Sequence, residues 1–240
     1  MTLPGVHANP VEAELGLLAQ AAKPVAAYWE TAPSLVVPRS YRRHPAFGAV
    51  RARFAAQGCP VFERPSGGGL VPQGPGILNL SLAWCVADGP GRWMEPIYLH
   101  LCRLLQAPLA ELGIATHWQA VPGSFCDGRF NLACATSERV RKIAGTAQYW
   151  RRQPTRDEPD SARYIVLAHA LLLVDADLQA AHERANAFEQ AIGSGRRYDP
   201  ARTVSVAQML GRQARSDLLA QVTQALSRAV QGAEPPGLAP

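Results

Sequence analysis

Hydrophobic and polar residues alternate most regularly over residues 77–86. The even-numbered positions from Leu78 to Val86 are large and apolar, whereas the odd-numbered positions include Asn79 and Ser81. Alternation with a period of two is typical of a β-strand that buries one face in the core. The opposite face is small and polar, as if something packs or binds against it.

The same patterns predict the other elements of the chain. Further strands are predicted over 34–37, 59–63, 116–121, 130–136, 141–151 and 164–174, and helices over 10–22, 45–57, 96–112, 176–192 and 216–232. A polar turn at 137–139 and a Pro- and Asp-rich surface loop over 153–162 interrupt them. Strands that follow one another directly favour an α+β fold around a mixed or antiparallel sheet. We expect one domain over residues 8–232 and a disordered tail over 233–240.

Composition narrows the class of protein. Hydrophobic residues make up 48% of the 240 residues, enough for a full core, and the net charge is +5. The basic residues are scattered and no nucleic-acid signature accompanies them, so an acidic protein is the favoured partner over nucleic acid.

No apolar run is long enough to span a membrane, and the N-terminus lacks a secretory pattern. Five cysteines without CxxC spacing indicate neither a disulfide framework nor a zinc site, so we expect a cytoplasmic setting.

Lysine is rare in this chain. Of the 24 basic residues, only Lys23 and Lys142 are lysines. A lysine kept in the small, apolar segment 141–148 suggests chemistry, because lysine can lose its proton and act as an acid, a base or a movable charge. The rarity of lysine alone is equally compatible with Lys142 being an exposed strand residue that has no chemical role.

Cys126 lies in a turn-rich segment between Gly123 and Gly128. Such a position can expose a thiol, whereas the other four cysteines lie within strand or helix patterns and are interpreted as core residues. A nearby cation such as Lys142 would favour the reactive thiolate.

Two further features carry weaker signals. Arg64 precedes the glycine loop 66–69, which is neither a Walker A motif nor a GxGxxG fingerprint and taken alone is more often a plain turn. Arg64 could bind an anion or a carbonyl there. His169 interrupts an apolar run, where a single histidine is more often a hydrogen-bonded core residue than a catalyst.

Three motifs in this order resemble the lipoate-protein ligase and octanoyltransferase family. They are Arg64-Pro-Ser-Gly-Gly-Gly followed by Gly76-Ile-Leu-Asn79-Leu-Ser81, then Gly-Ser-Phe-Cys126-Asp-Gly-Arg-Phe-Asn-Leu, then Lys142-Ile-Ala-Gly-Thr-Ala-Gln148. Three ordered motifs are more specific than any one of them. The resemblance implies the biotin/lipoate-ligase catalytic fold, an α+β domain with helices flanking a mixed or antiparallel central sheet. Around Cys126 the chain is most similar to the cysteine-dependent octanoyl and lipoyl transferases.

The resemblance also implies roles. In those transferases a cysteine in this loop forms an acyl-thioester, so Cys126 and Lys142 are the expected catalytic residues. The expected substrate-binding residues are Arg64, Ser66, Gly67, Gly68, Gly69, Asn79, Asp127, Gly145, Thr146, Ala147, Gln148 and His169. The implied partners are lipoyl-domain proteins, such as E2 subunits and an H-like carrier of glycine cleavage, with an octanoyl or lipoyl group to transfer. A transferase would need no cofactor and no metal.

Two alternatives stay open. One is a ligase that uses ATP and Mg²⁺, in which Lys142 contacts a carboxylate or phosphate and Cys126 is incidental. Ligases typically carry a histidine after the glycines, where this chain has Pro72-Gln73-Gly74, and this departure favours the transferase. The other alternative is a non-catalytic module that binds an acyl carrier. The sequence leaves open which acyl group is carried and in which oligomeric state.

Overall fold

The computed structural model describes residues 5–135, 139–153, 163–211 and 217–239. Its strands are β1 (Gly5–His7), β2 (Val25–Thr31), β3 (Ser34–Pro38), β4 (Val61–Arg64), β5 (Val71–Gln73), β6 (Ile77–Ala87), β7 (His117–Trp118), β8 (Leu132–Ala135), β9 (Val140–Gln153) and β10 (Arg163–Leu173). Its α-helices are α1 (Pro10–Gln20), α2 (Phe47–Ala56), α3 (Pro90–Glu111), α4 (Leu178–Ile192), α5 (Val206–Met209) and α6 (Leu218–Gln231). Short 3₁₀ helices cover Arg39–Arg43 and Pro200–Arg202.

The strands form two sheets. Seven strands make the central sheet in the order β1-β2-β6-β10-β9-β8-β7, and β4-β3-β5 make a smaller one. Pairing in the central sheet is antiparallel except between β1 and β2, and β3 pairs parallel with β4. The α+β class with a mixed sheet flanked by helices is therefore confirmed.

The two faces of β6 differ as the alternation predicts. The even-numbered residues from Leu78 to Val86 belong to the main hydrophobic core, together with apolar residues of α3 and α6. Asn79 and Ser81 point to the other side, where the Ser81 hydroxyl meets the carboxylate of Glu14 on α1. Part of the small, polar face of the sheet is thus covered by α1 rather than by the main core.

Residues of the C-terminal segment 233–239, which was predicted to be a disordered tail, lie against strand β6. The Ala87 amide donates to the Gly237 carbonyl and the Ala239 amide donates to the Cys85 carbonyl, each at 3.1 Å. The cause lies in the sheet: β2 pairs with β6 only as far as Ala83. The tail satisfies backbone groups of β6 that would otherwise lie at an open edge.

Other boundaries differ locally from the predictions. Strand β2 has no counterpart among the predicted elements, helix α3 begins six residues earlier than expected, and the strand predicted over 116–121 is reduced to His117–Trp118. Residues 137 and 138 of the predicted turn, residues 154–162 of the predicted loop and the first residue of the predicted final helix lie outside the described residues. Among the described helices, none has the length and apolar character needed to cross a membrane.

Candidate active site

A cleft lies on the small-residue face of the central sheet. Eight of the predicted site residues line it: Arg64, Asn79, Cys126, Lys142, Gly145, Thr146, Ala147 and His169. Trp29, Asn79, Leu171 and Gly145 form one row across β2, β6, β10 and β9. Neighbouring strands lie about 4.8 Å apart, so this row measures roughly 14 Å from Gly145 to Trp29.

Cys126 adopts a left-handed backbone conformation, with φ of 45°. This region costs a non-glycine residue roughly 1–2 kcal/mol. The Cys126 carbonyl accepts three hydrogen bonds, from the Gly128 amide at 2.9 Å, Asn131 Nδ2 at 3.0 Å and Lys142 Nζ at 3.0 Å. These three donors stabilise the strained turn and fix the thiol at the cleft.

The Cys126 sulfur lies against the glycine loop. The Gly69 amide donates to Sγ at 3.4 Å. A β-carbon on Gly68, whose φ is 102°, would lie only 2.5 Å from Sγ. Glycine is therefore required at position 68 both for its backbone conformation and for the close approach of the sulfur.

Lys142 is 2% exposed and projects from β9 beneath the cysteine loop. Its Nζ donates to the Phe125 carbonyl as well as to that of Cys126. Burial lowers the pKa of Lys142 to about 8, while the nearby Cys126 and Asp127 act in the opposite direction. A β-carbon on Gly145 would lie 2.9 Å from Nζ, so the absence of a side chain there makes room for the ammonium.

Arg64 organises the glycine loop from within. Its side chain is buried and donates to the carbonyls of Val36, Gly67 and Gly69 at 3.0, 2.9 and 2.7 Å. Burial lowers the pKa of its guanidinium. Arg64 lines the cleft, but its bonds to these carbonyls hold the loop in place beside Cys126.

A polar chain crosses the cleft at His169. Its Nε2 lies 3.1 Å from the Ser66 hydroxyl and its Nδ1 lies 2.8 Å from Glu14 Oε1. The same carboxylate oxygen accepts from the Ser81 hydroxyl at 2.8 Å. Glu14 is not among the predicted site residues, because a single carboxylate on an otherwise ordinary helix carries no local signal.

The remaining predicted residues lie at the margin of the site. Gln148 donates to the Met94 carbonyl without lining the cleft, whereas Thr146, which does line it, donates its hydroxyl to the Phe130 carbonyl. Asp127 does not line it either and acts through its charge on Lys142.

Two further lining residues were missed. Gln73 exchanges two 2.9 Å hydrogen bonds with Asn79, and Asn131 bonds to the Cys126 carbonyl. Both stand within or beside the recognised motifs, but their roles depend on contacts that spacing alone does not reveal.

Comparison with known proteins gives a match over most of the chain. Residues 12–231 match the model of the lipoyl protein ligase A/B catalytic domain. The uncharacterized protein H16_B0148 of Cupriavidus necator is 56% identical over 236 residues, covering 95% of this chain and 93% of that protein. The octanoyl-[GcvH]:protein N-octanoyltransferase of Kyrpidia tusciae is 42% identical over 137 residues, covering 57% of this chain and 45% of that enzyme.

Solved structures share the fold at low sequence identity. A lipoate-protein ligase A bound with ATP aligns with a TM-score of 0.64 and 14% identity, over 96% of this chain and 85% of its own. A bi-partite lipoate protein ligase from Thermoplasma acidophilum aligns with a TM-score of 0.58 and 17% identity, over 96% and 83% of the two chains. These alignments confirm the lipoate-ligase-like fold.

Proposed function

The chain belongs to the lipoyl protein ligase A/B catalytic domain family, a family of enzymes, and on that premise we propose that it is an acyltransferase. It moves an octanoyl or lipoyl group onto the acceptor lysine of a lipoyl-domain protein through a thioester on Cys126. The observation that carries this proposal is the position of the Cys126 sulfur, at the cleft, against the Gly69 amide and beside the buried Lys142.

The first step transfers the acyl group to the enzyme. The Cys126 sulfur forms a bond to the acyl carbonyl carbon, the bond from that carbon to the carrier breaks, and the thiol proton goes to the departing carrier atom. The Gly69 N–H is placed to donate to the negative charge that develops during this step. Lys142, with a pKa of about 8, can hold or pass a proton near neutral pH.

The second step releases the acyl group to the acceptor. The ε-amine nitrogen of the acceptor lysine forms a bond to the same carbonyl carbon, the carbon–sulfur bond breaks, and the amine proton returns to sulfur. The product is an amide, and the free thiol is regenerated. No ATP is consumed in either step, because each replaces one acyl bond by another.

The acyl chain fits along the row from Gly145 to Trp29. Leu171 and the apolar edge of α1 supply hydrocarbon contacts, while the odd-numbered face of β6 forms the floor. Each buried CH₂ contributes about 0.8 kcal/mol, so a chain of eight carbons is recognised mainly by burial. The Kyrpidia relative is named for an octanoyl carrier of the glycine cleavage system, which supports the choice of acyl group and donor.

Intact-mass analysis tests this proposal. The protein is incubated with octanoylated carrier protein and no ATP, beside Cys126→Ala and Cys85→Ala, the latter a partly exposed cysteine outside the cleft. We expect a hydroxylamine-labile octanoyl adduct on the native chain and on Cys85→Ala but not on Cys126→Ala. Acceptor modification that appears only with free acid and ATP-Mg²⁺, without an adduct, would assign the chain to the ligases instead.

A further inference from the structure

A buried carboxylate lies behind the glycine loop. Glu189 on α4 is 0% exposed, and its Oε1 accepts from the hydroxyls of Tyr41 and Tyr198, each at 2.6 Å. Its Oε2 is buried with no hydrogen-bond partner among the described residues. Burial of a carboxylate with an unpaired oxygen is costly, so its retention calls for a compensating contribution.

Both tyrosines are held as hydrogen-bond donors. Burial, with Glu189 adding to it, raises the pKa of Tyr41 to about 12 and raises that of Tyr198 further. Each hydroxyl therefore keeps its proton and donates it to the carboxylate. Once the proton of Tyr41 is committed to Glu189, the oxygen of Tyr41 is free to accept.

Tyr41 uses that capacity to hold the glycine loop. Its hydroxyl accepts a hydrogen bond from the Leu70 amide at 3.2 Å. The preceding amide, that of Gly69, is the one that donates to the Cys126 sulfur. The Tyr41 oxygen therefore fixes the Leu70 N–H directly and, through the shared backbone, the neighbouring Gly69 N–H. Glu189 in turn holds the Tyr41 hydroxyl in place.

Tyr198 donates to the same carboxylate oxygen but packs elsewhere. Its ring lies 5.1 Å from the ring of Phe125, and its backbone exchanges hydrogen bonds with the Asn186 side chain. Both of these contacts survive replacement by phenylalanine. Of the two tyrosines, Tyr41 is the one that accepts from the Leu70 amide, whereas Arg196 lies near both, with its guanidinium 6.0 Å from the Tyr41 ring and interacting with the Tyr198 hydroxyl.

We infer that Tyr41 and Glu189 are positioning residues that orient the Gly69 N–H toward the Cys126 sulfur. The N–H stabilises the thiolate, and this part rests on geometry alone. It also stabilises the oxyanion formed during acyl transfer, and this part rests on the proposed function. Neither Tyr41 nor Glu189 lines the cleft, so their effect reaches the reacting atoms through the glycine loop.

The test compares Tyr41→Phe with Tyr198→Phe, because each removes one hydroxyl bound to the same oxygen. The rate of alkylation of Cys126 by iodoacetamide is followed by intact mass from acidic to alkaline pH, with Cys126→Ala as background. Acyl transfer is measured on the same samples as separate kcat and KM values. Arg64, Lys142 and Tyr98, which interact electrostatically with Cys126, are unchanged in both variants, and so is Arg196, whose Nη1 lies 3.1 Å from where a β-carbon on Gly69 would be.

For Tyr41→Phe we expect alkylation at neutral pH to slow roughly tenfold, with the midpoint of its pH dependence moved upward, because a misdirected donor loses part of its stabilisation. The loss in transfer should fall on kcat rather than KM. Tyr198→Phe should change each rate by less than about twofold while losing a similar hydrogen bond to Glu189.

Equal effects of the two variants, or an unchanged alkylation profile in Tyr41→Phe, would overturn the inference. If Tyr41→Phe does not fold, Glu189→Gln takes its place, and it must slow alkylation in the same direction. The native chain could form no acyl adduct while the two tyrosine variants still differ in their rates of Cys126 alkylation. That result would contradict acyl transfer through Cys126 but would support the positioning role of Tyr41 and Glu189.

Discussion

Replacing Gly145 by alanine tests whether the position of the Lys142 ammonium controls transfer. The added β-carbon would lie 2.9 Å from Nζ and 3.0 Å from Cε of Lys142, and 3.4 Å from Asn131 Oδ1. Ordinary contacts begin near 3.5 Å, so the ammonium must move by about half an ångström or more. The charge and the identity of the lysine are both retained.

The magnitude follows from what that displacement breaks. Lys142 Nζ holds the carbonyls of Phe125 and Cys126, which define the left-handed turn of the cysteine. A misplacement of about 1 Å in a catalytic arrangement can cost roughly 10²-fold in rate. We therefore expect Gly145→Ala to slow acyl transfer by about 10- to 100-fold. The backbone itself gains, since alanine in place of a strand glycine removes about 0.5–1 kcal/mol of conformational cost.

The assay is single-turnover transfer of the octanoyl group, measured beside thermal unfolding. Gly48→Ala on α2 is the control, because a β-carbon there meets nothing within 4 Å and the residue lies outside the cleft. A native transfer rate in Gly145→Ala would refute the reasoning, and so would a loss of rate matched by Gly48→Ala.

Three further predictions concern buried groups of the site. Because the folded pKa of Lys142 is lowered to about 8 from an ordinary 10.5, charging it costs stability below pH 8. Urea unfolding of the native chain should therefore show stability rising by about 3 kcal/mol between those two pKa values, relative to Lys142→Met, which should also abolish transfer. Gly68→Ala should lower both alkylation of Cys126 and the melting temperature, because the β-carbon meets Sγ at 2.5 Å and φ is 102°. Asn79→Ala and Gln73→Ala should each cost about 1–3 kcal/mol, because the first leaves the Gln73 amide without its partner and the second leaves Asn79 Oδ1 without its partner while Asn79 Nδ2 still donates to the Trp29 and Ile77 carbonyls. A double-mutant cycle of urea unfolding should show strong non-additivity.

The sequence predicts most reliably where a local pattern is strict. The two faces of β6 follow directly from its alternation, and the strand over 164–174 appears at Arg163–Leu173. The ordered motifs place Arg64, Cys126 and Lys142 together around one cleft, although they lie far apart along the chain. The chemical roles of these residues stay predictions.

Contacts between residues far apart in the sequence could not be predicted. Tyr41 and Glu189 are 148 residues apart, and Glu14 and His169 are 155 apart. Nothing in the local composition around a buried carboxylate distinguishes it from a solvated one. The contacts of the C-terminal segment with β6 carry no local signal either, because the backbone groups of β6 that it meets are available only beyond the end of β2.

The left-handed turn of Cys126 links the conformation of the nucleophile to its chemistry. The carbonyl of this residue accepts hydrogen bonds from Gly128, Asn131 and Lys142, while its sulfur accepts one from the Gly69 amide. A cation that lies on the backbone carbonyls of the nucleophile, rather than free in the cleft, fixes where the thiol points at the same time as it supplies charge. Variants that remove Lys142 therefore remove both contributions, whereas Gly145→Ala shifts the geometry alone. Comparing their rates separates the electrostatic effect of the lysine from its structural one.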